Sequence, residues 1–168
     1  MLVLVAFVLS LLVSPIPDST SQLVVVTTSD WSATDGSLRR FEREGGGAWL
    51  EVGATVPVVV GRSGLGWGIG LHRSSDGAVG GVAGPVKAEG DGRAPAGAFS
   101  LSAAFGYADL EATGLPYVPS GPDLRCVDDP ASRSYTLVRQ MSTDADWQSH
   151  ERMRRNDGLY RIGVIVAH

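Results

Sequence analysis

The sequence predicts a mainly β fold: a β-rich sheet or sandwich with one or two short helices, in one domain that follows an N-terminal leader. Three observations carry this expectation. Apolar residues fall in short runs rich in Val, Ile and Thr, the residue types that pack well on a pleated surface. Turn pairs stand between the runs, at Asp35-Gly36, Asp76-Gly77, Asp91-Gly92 and Asp157-Gly158. Glycine is abundant, at 22 residues, while Lys87 is the only lysine, so a residue that favours helix is nearly missing.

Residues 2–13, LVLVAFVLSLLV, form the most apolar stretch. The run is too short to span a bilayer and has the length of the apolar core of a secretory signal. Ser14, Pro15 and Pro17 break it, and the small residues Ser19-Thr20-Ser21 offer a cleavage point before Gln22. The leader is therefore assigned to residues 1–21, although no basic residue precedes the run. A buried first strand is the other reading of the same residues. Strands are expected in LVVVTT (23–28), AWLEV (48–52), TVPVVVG (55–61), GAFSLS (97–102), SYTLVR (134–139) and LYRIGVIVA (159–167). Pro57 puts the third of these at a sheet edge or a bulge. GVIVA has the continuous apolar character of an interior strand. A helix is expected at 143–154, STDADWQSHERM, where Ser142 or Thr143 would cap it and Asp144 and Asp146 would favour its dipole.

Composition excludes some functions. With 168 residues, 43% of them apolar and 19% charged, the chain can build a real core. A net charge of −4 gives no basic footprint, so nucleic acid is not an expected partner. A single cysteine, Cys126, rules out an internal disulfide, and three histidines without ligand spacing give no zinc pattern. No metal or other cofactor is expected.

The stretch Glu89-Gly90-Asp91-Gly92-Arg93-Ala94-Pro95-Ala96-Gly97-Ala98-Phe99 reads as a defined loop feeding a strand. Pro95 fixes its own φ and disfavours helix at Ala94, and the glycines permit positive φ or close backbone approach. This stretch resembles the Gly-Asp-Gly-x-Thr-Pro-x-Gly-x-Phe signature of the L,D-transpeptidase catalytic domain family (YkuD/ErfK type), with Ala94 where the signature has Thr. The resemblance extends in order through Gln22–Val26 with Leu38–Arg43, Val60–Gly68, Ala104–Ala108, Cys126–Pro130, Asp146–Met153 and Leu159–Val166. It covers residues 22–168. Family members carry a catalytic His and then a Ser/Thr-x-Gly-Cys segment with the nucleophile after the strand that here ends at Ala167. The resemblance thus implies an L,D-transpeptidase-like domain without its C-terminal catalytic segment. The family forms a thioester on a peptidoglycan stem peptide and passes the acyl group to the amine of a second stem peptide. That chemistry needs a thiolate, a proton-shuttling His and oxyanion donors. The resemblance also implies peptidoglycan stem peptides as partners and export to the periplasm or envelope of a bacterium. The membrane would be met only through an uncleaved leader. A folded product would be a monomer.

No catalytic residue is assigned within the chain. Cys126 has Arg125 to lower its pKa but Asp123, Asp128 and Asp129 to raise it, and no glycine-rich turn surrounds it; a structural thiol is expected. His168 reads as a frayed end, His150 as a surface residue and His72 as loop. Tyr107 and Trp147 are candidates for either the core or a substrate groove. Arg93 is a candidate for bidentate contact with a stem-peptide carboxylate, with a surface salt bridge to Asp91 or Glu89 as the other reading. Arg152, Arg154 and Arg155 read as a solvated face. Two functions follow: an exported L,D-transpeptidase-like protein that is inactive as an incomplete domain, or a non-catalytic envelope module that binds peptidoglycan. An unrelated secreted β-rich binding domain is the third possibility.

Overall fold

A computed structural model of the chain describes residues 14–72, 78–79, 82–109 and 111–168. The leader run and the Asp76-Gly77 turn lie outside the described residues. Fourteen strands and no helix are present among them, which establishes the mainly β class. No described helix is long and apolar enough to cross a membrane. The chain divides into two compact units, residues 1–99 with His168, and residues 100–167.

In the first unit, β1 (Gln22–Thr27) pairs antiparallel with β2 (Asp35–Glu42), from Gln22 opposite Glu42 to Thr27 opposite Ser37. The Asp30 carboxylate organises the intervening turn by accepting the Ser32 and Ala33 N–H groups at 2.7 and 3.0 Å. The other side of β2 receives β3 (Leu50–Glu51) and then β4 (Val56–Val59). Pro57 sits in β4, which among the described residues pairs with β2 alone, as a strand residue without an N–H should. β5 (Leu65–Trp67) pairs in parallel with β8 (Ala94–Ala96), and β6 (Ala78–Val79) pairs with β7 (Val82–Ala83).

In the second unit, β9 (Leu101–Gly106) lies between β10 (Tyr117–Pro119), parallel to it, and β14 (Ile162–Val166), antiparallel to it. A second sheet centres on β11 (Leu124–Val127), flanked by β12 (Val138–Gln140) and β13 (His150–Arg152), both antiparallel. Phe105, Leu124 and Met153 form the core, with Val118, Cys126, Val138, Tyr160 and Ile165 packed against it.

Three expectations are corrected. The segment 143–154 is not a helix: Ser142 starts a turn, accepting the Asp144 N–H on its side chain, and His150–Arg152 pairs with β11. Ser, Thr and Asp serve turns as readily as helix caps, and cross-strand pairing decides between them here. The strand expected at 97–102 is broken, because β8 ends at Ala96 and β9 starts at Leu101, with Gly97 between them at φ 139°. GVIVA is not an interior strand among the described residues. β14 pairs only with β9, and its exposure alternates, with Ile162, Val164 and Val166 open to solvent.

Candidate functional site

The signature loop is built around one carboxylate. Asp91 accepts the backbone N–H groups of Ala88 (2.7 Å) and Arg93 (2.8 Å) and the Lys87 ammonium (3.2 Å). Those backbone donors, then the lysine, hold its pKa down at about 2. Gly90 and Gly92 on either side have φ of 75° and 73°, a conformation that glycine adopts without a Cβ penalty. The loop is thus closed on itself, and Asp91 acts as its clasp.

The loop delivers β8 against β5, in which Gly66 is buried, as are Gly64 and Gly68 at its two ends. A Cβ at Gly66 would press on Arg93 and Lys87, and one at Gly68 would meet the His168 ring and Pro95. The glycines therefore let the loop and the rings beside it approach the strand. An array of rings runs from Trp31 to Trp67, His72, Phe99 and His168, with centroids 5.1–5.9 Å apart.

His72 is buried and fixed. Its Nδ1 accepts the Ala98 N–H at 3.0 Å, which places the ring proton on Nε2, 2.8 Å from the Gly68 carbonyl. Both nitrogens are occupied by backbone, so His72 positions the loop and does not shuttle protons. His168 is not frayed: its ring packs edge-on against Phe99 at 5.7 Å. Burial first, then the Lys87 charge, lowers its pKa, while Glu89 opposes them. Among the described residues its ring nitrogens have no hydrogen-bond partner, so His168 is the first unit's free imidazole base. The packing with Phe99 depends on the space left by Gly68, a long-range fit that no local pattern in the sequence announces.

Arg93 also belongs to this unit. Its Nη1 donates to the Trp31 carbonyl (3.0 Å) and the Leu65 carbonyl (2.6 Å). The side chain ties the signature loop to β5 and to the turn after β1. The surface bridge to Asp91 does not form through its side chain, since Asp91 receives its backbone N–H and pairs with Lys87.

Tyr107 and Trp147 belong to the second unit, and no hydrogen bond or ring contact joins them among the described residues. The Tyr107 hydroxyl accepts the Arg155 N–H at 2.8 Å and faces the carbonyls of Arg155 and Leu159, with Arg154 over its ring at 4.9 Å. It pins the 154–160 loop. Trp147 is half-buried, and its Nε1 is buried with no partner. Of the three arginines expected on a solvated face, Arg155 pairs with Asp157 and Arg154 donates to the Ser120 carbonyl.

Cys126 sits in mid-strand, half-buried, with its side chain on the core face of β11. Burial, then Glu151 and Asp128, push the thiol up. Arg125 precedes it in the strand and so projects to the opposite face. Glu151 is the neighbour that sequence reasoning missed, because it reaches Cys126 only through the β11–β13 register. Glu151 also accepts the Tyr160 hydroxyl at 2.7 Å, which raises the tyrosine pKa. A protonated thiol beside carboxylates is a poor nucleophile.

An open groove of about 560 Å³ lies elsewhere in the first unit and is lined by Gln22, Glu42, Arg43, Leu50 and Val52 among others. Arg43 there serves the backbone carbonyls of Pro17, Asp18 and Thr20. No group of three or more metal-ligating side chains occurs among the described residues. Comparison of the chain with protein-family models, with curated proteins and with solved structures found no significant match.

Proposed function

We propose that the chain is an exported L,D-transpeptidase-like protein of peptidoglycan whose own 168 residues support stem-peptide binding but do not form the acyl-enzyme. The carrying observation is the clasped signature loop: its Asp and both flanking glycines each hold a defined backbone role beside an aromatic array and a free imidazole. The mainly β class agrees with the reading. Acyl transfer in such a protein needs a thiolate, and Cys126, held protonated on the core face of β11, does not provide one.

The test is incubation with disaccharide-tetrapeptide, followed by mass spectrometry and by titration of backbone amide resonances. The expected outcome is no covalent adduct, with shifts confined to residues around the 87–99 loop. An adduct on Cys126 would make that residue catalytic, and no resonance shift at millimolar peptide would end the peptidoglycan reading. The elevated Cys126 pKa also favours a second reading, a non-catalytic peptidoglycan-binding module. The coding sequence after codon 168 separates the two: a His followed by a Ser/Thr-x-Gly-Cys segment belongs to the first and unrelated sequence to the second.

A further inference from the structure

The sheet β12–β11–β13 carries three arginines in one cross-strand row. Arg125 in the central strand is opposite Arg139 on β12 and opposite Arg152 on β13. Residues paired in this way project from the same face, and like charges placed directly opposite each other destabilise a sheet. Strands lie about 4.8 Å apart, so the outer Cα atoms are about 10 Å apart and all three side chains can reach one ligand.

The row is poorly neutralised. Among the described residues, the one carboxylate within ion-pair distance is Asp123, 3.9 Å from Arg125 Nη2 and itself 70% exposed. Glu151 projects to the other face and is bonded to Tyr160. Arg139 donates to its neighbour's carbonyl at 3.3 Å, and neither it nor Arg152 has an ion pair. Three guanidinium charges against one carboxylate leave two unbalanced.

A second observation points the same way. Arg125 is 6% exposed, and its Nε is buried with no hydrogen-bond partner, although Nη1 reaches the Pro122 and Leu124 carbonyls. His150, one position along the same face and opposite Val127, has a buried Nδ1 that also lacks a partner. A buried charged donor left without an acceptor is costly, and an oxyanion relieves it.

We propose that the Arg139–Arg125–Arg152 row is a binding site for a phosphate group. A phosphate carries about −1.5 to −2 charge at neutral pH and accepts bidentate guanidinium pairs, which matches the two unbalanced charges. A single carboxylate would leave one uncompensated. The inference rests on this sheet alone and stands independently of the transpeptidase-like reading.

The test is calorimetric titration of the whole chain with inorganic phosphate, glucose 1-phosphate and acetate. Binding of both phosphates with little response to acetate supports recognition of the group itself. Binding of the sugar phosphate alone supports a phosphorylated glycan as its source. Equal response to acetate, or no phosphate binding by the folded protein, overturns the proposal. Arg139→Gln and Arg152→Gln, both at exposed positions, should each weaken phosphate binding about tenfold. They should also leave the ligand-free melting temperature unchanged or higher, because each removes like-charge repulsion. Unchanged phosphate affinity in both variants, or a lowered ligand-free melting temperature, overturns the assignment.

Discussion

Asp91 shows how one side chain sets the behaviour of a loop. Its folded pKa of about 2 lies below the unfolded value of about 3.9. A depressed carboxylate contributes stability that is complete above the unfolded pKa and is lost as pH falls through the folded one. Acid should therefore open the loop between about pH 4 and pH 2; in the second unit Asp146, bonded to Ser132 and Arg133 and also held at about 2, should lose its contacts in the same window. Asp91→Asn should flatten the pH dependence of the 87–99 amide shifts; an unchanged titration would remove Asp91 as the clasp. Gly97 is a sharper case. At φ 139°, a Cβ would overlap the His72 ring. Gly97→Ala should cost at least about 2 kcal/mol from backbone strain and overlap together, measurable by urea unfolding. Cys126 gives a chemical readout at the same scale. Its alkylation rate should still be rising with pH where that of a free thiol has levelled off, because the thiol is held above its ordinary value. A plateau at or below the free-thiol pH would show an activated cysteine.

Elements whose identity depends on short-range pattern were legible in the sequence, and those that depend on pairing were not. β1 and β4 follow from β-branched runs and from Pro57, and the mainly β class follows from the spacing of turns. The segment around β13 carries helix-capping residues, yet its state is decided by Arg125, Cys126 and Val127 across the sheet. The same register brings Glu151 to Cys126 and aligns the three arginines, and none of this is visible along one strand. In the candidate site, the signature loop was legible but the roles of its residues were not. Arg93 turned out to bind backbone carbonyls because Trp31 and Leu65 approach it from distant parts of the chain. β14 is the element with the clearest consequence. Its exposed Ile162, Val164 and Val166, with an unpaired outer edge among the described residues, make a surface prone to edge association. Val164→Lys should reduce self-association in sedimentation velocity and change stability by no more than about 0.5 kcal/mol. A larger loss of stability would mean that the face is packed in solution.

For the molecule as a whole, the division of burial matters most. The buried apolar side chains among the described residues, Ala104, Phe105, Leu124, Val127 and Met153, all belong to the second unit. Among the described residues of the first unit the buried positions are Gly64, Gly66, Gly68 and His72, where backbone bonds and ring contacts are the visible ties. Apolar burial is the main favourable term in folding, and a domain's net margin is only about 5–15 kcal/mol. The two units should accordingly differ in local stability. Leu124, 2% exposed at the centre of the core cluster, should cost about 2–5 kcal/mol on Leu124→Ala. Leu23, half-buried in β1, should cost less than Leu124 on truncation to Ala, since more of its surface stays in contact with water in the folded chain. Native-state hydrogen exchange gives the direct comparison. Amides of β9 and β11 should exchange last, by opening of the core, and those of β1 and β2 should exchange earlier through local opening of the first unit. Equal protection in both sets would mean that the chain unfolds as one cooperative body, and slower exchange in β1 and β2 would place the stable core where few apolar side chains are buried.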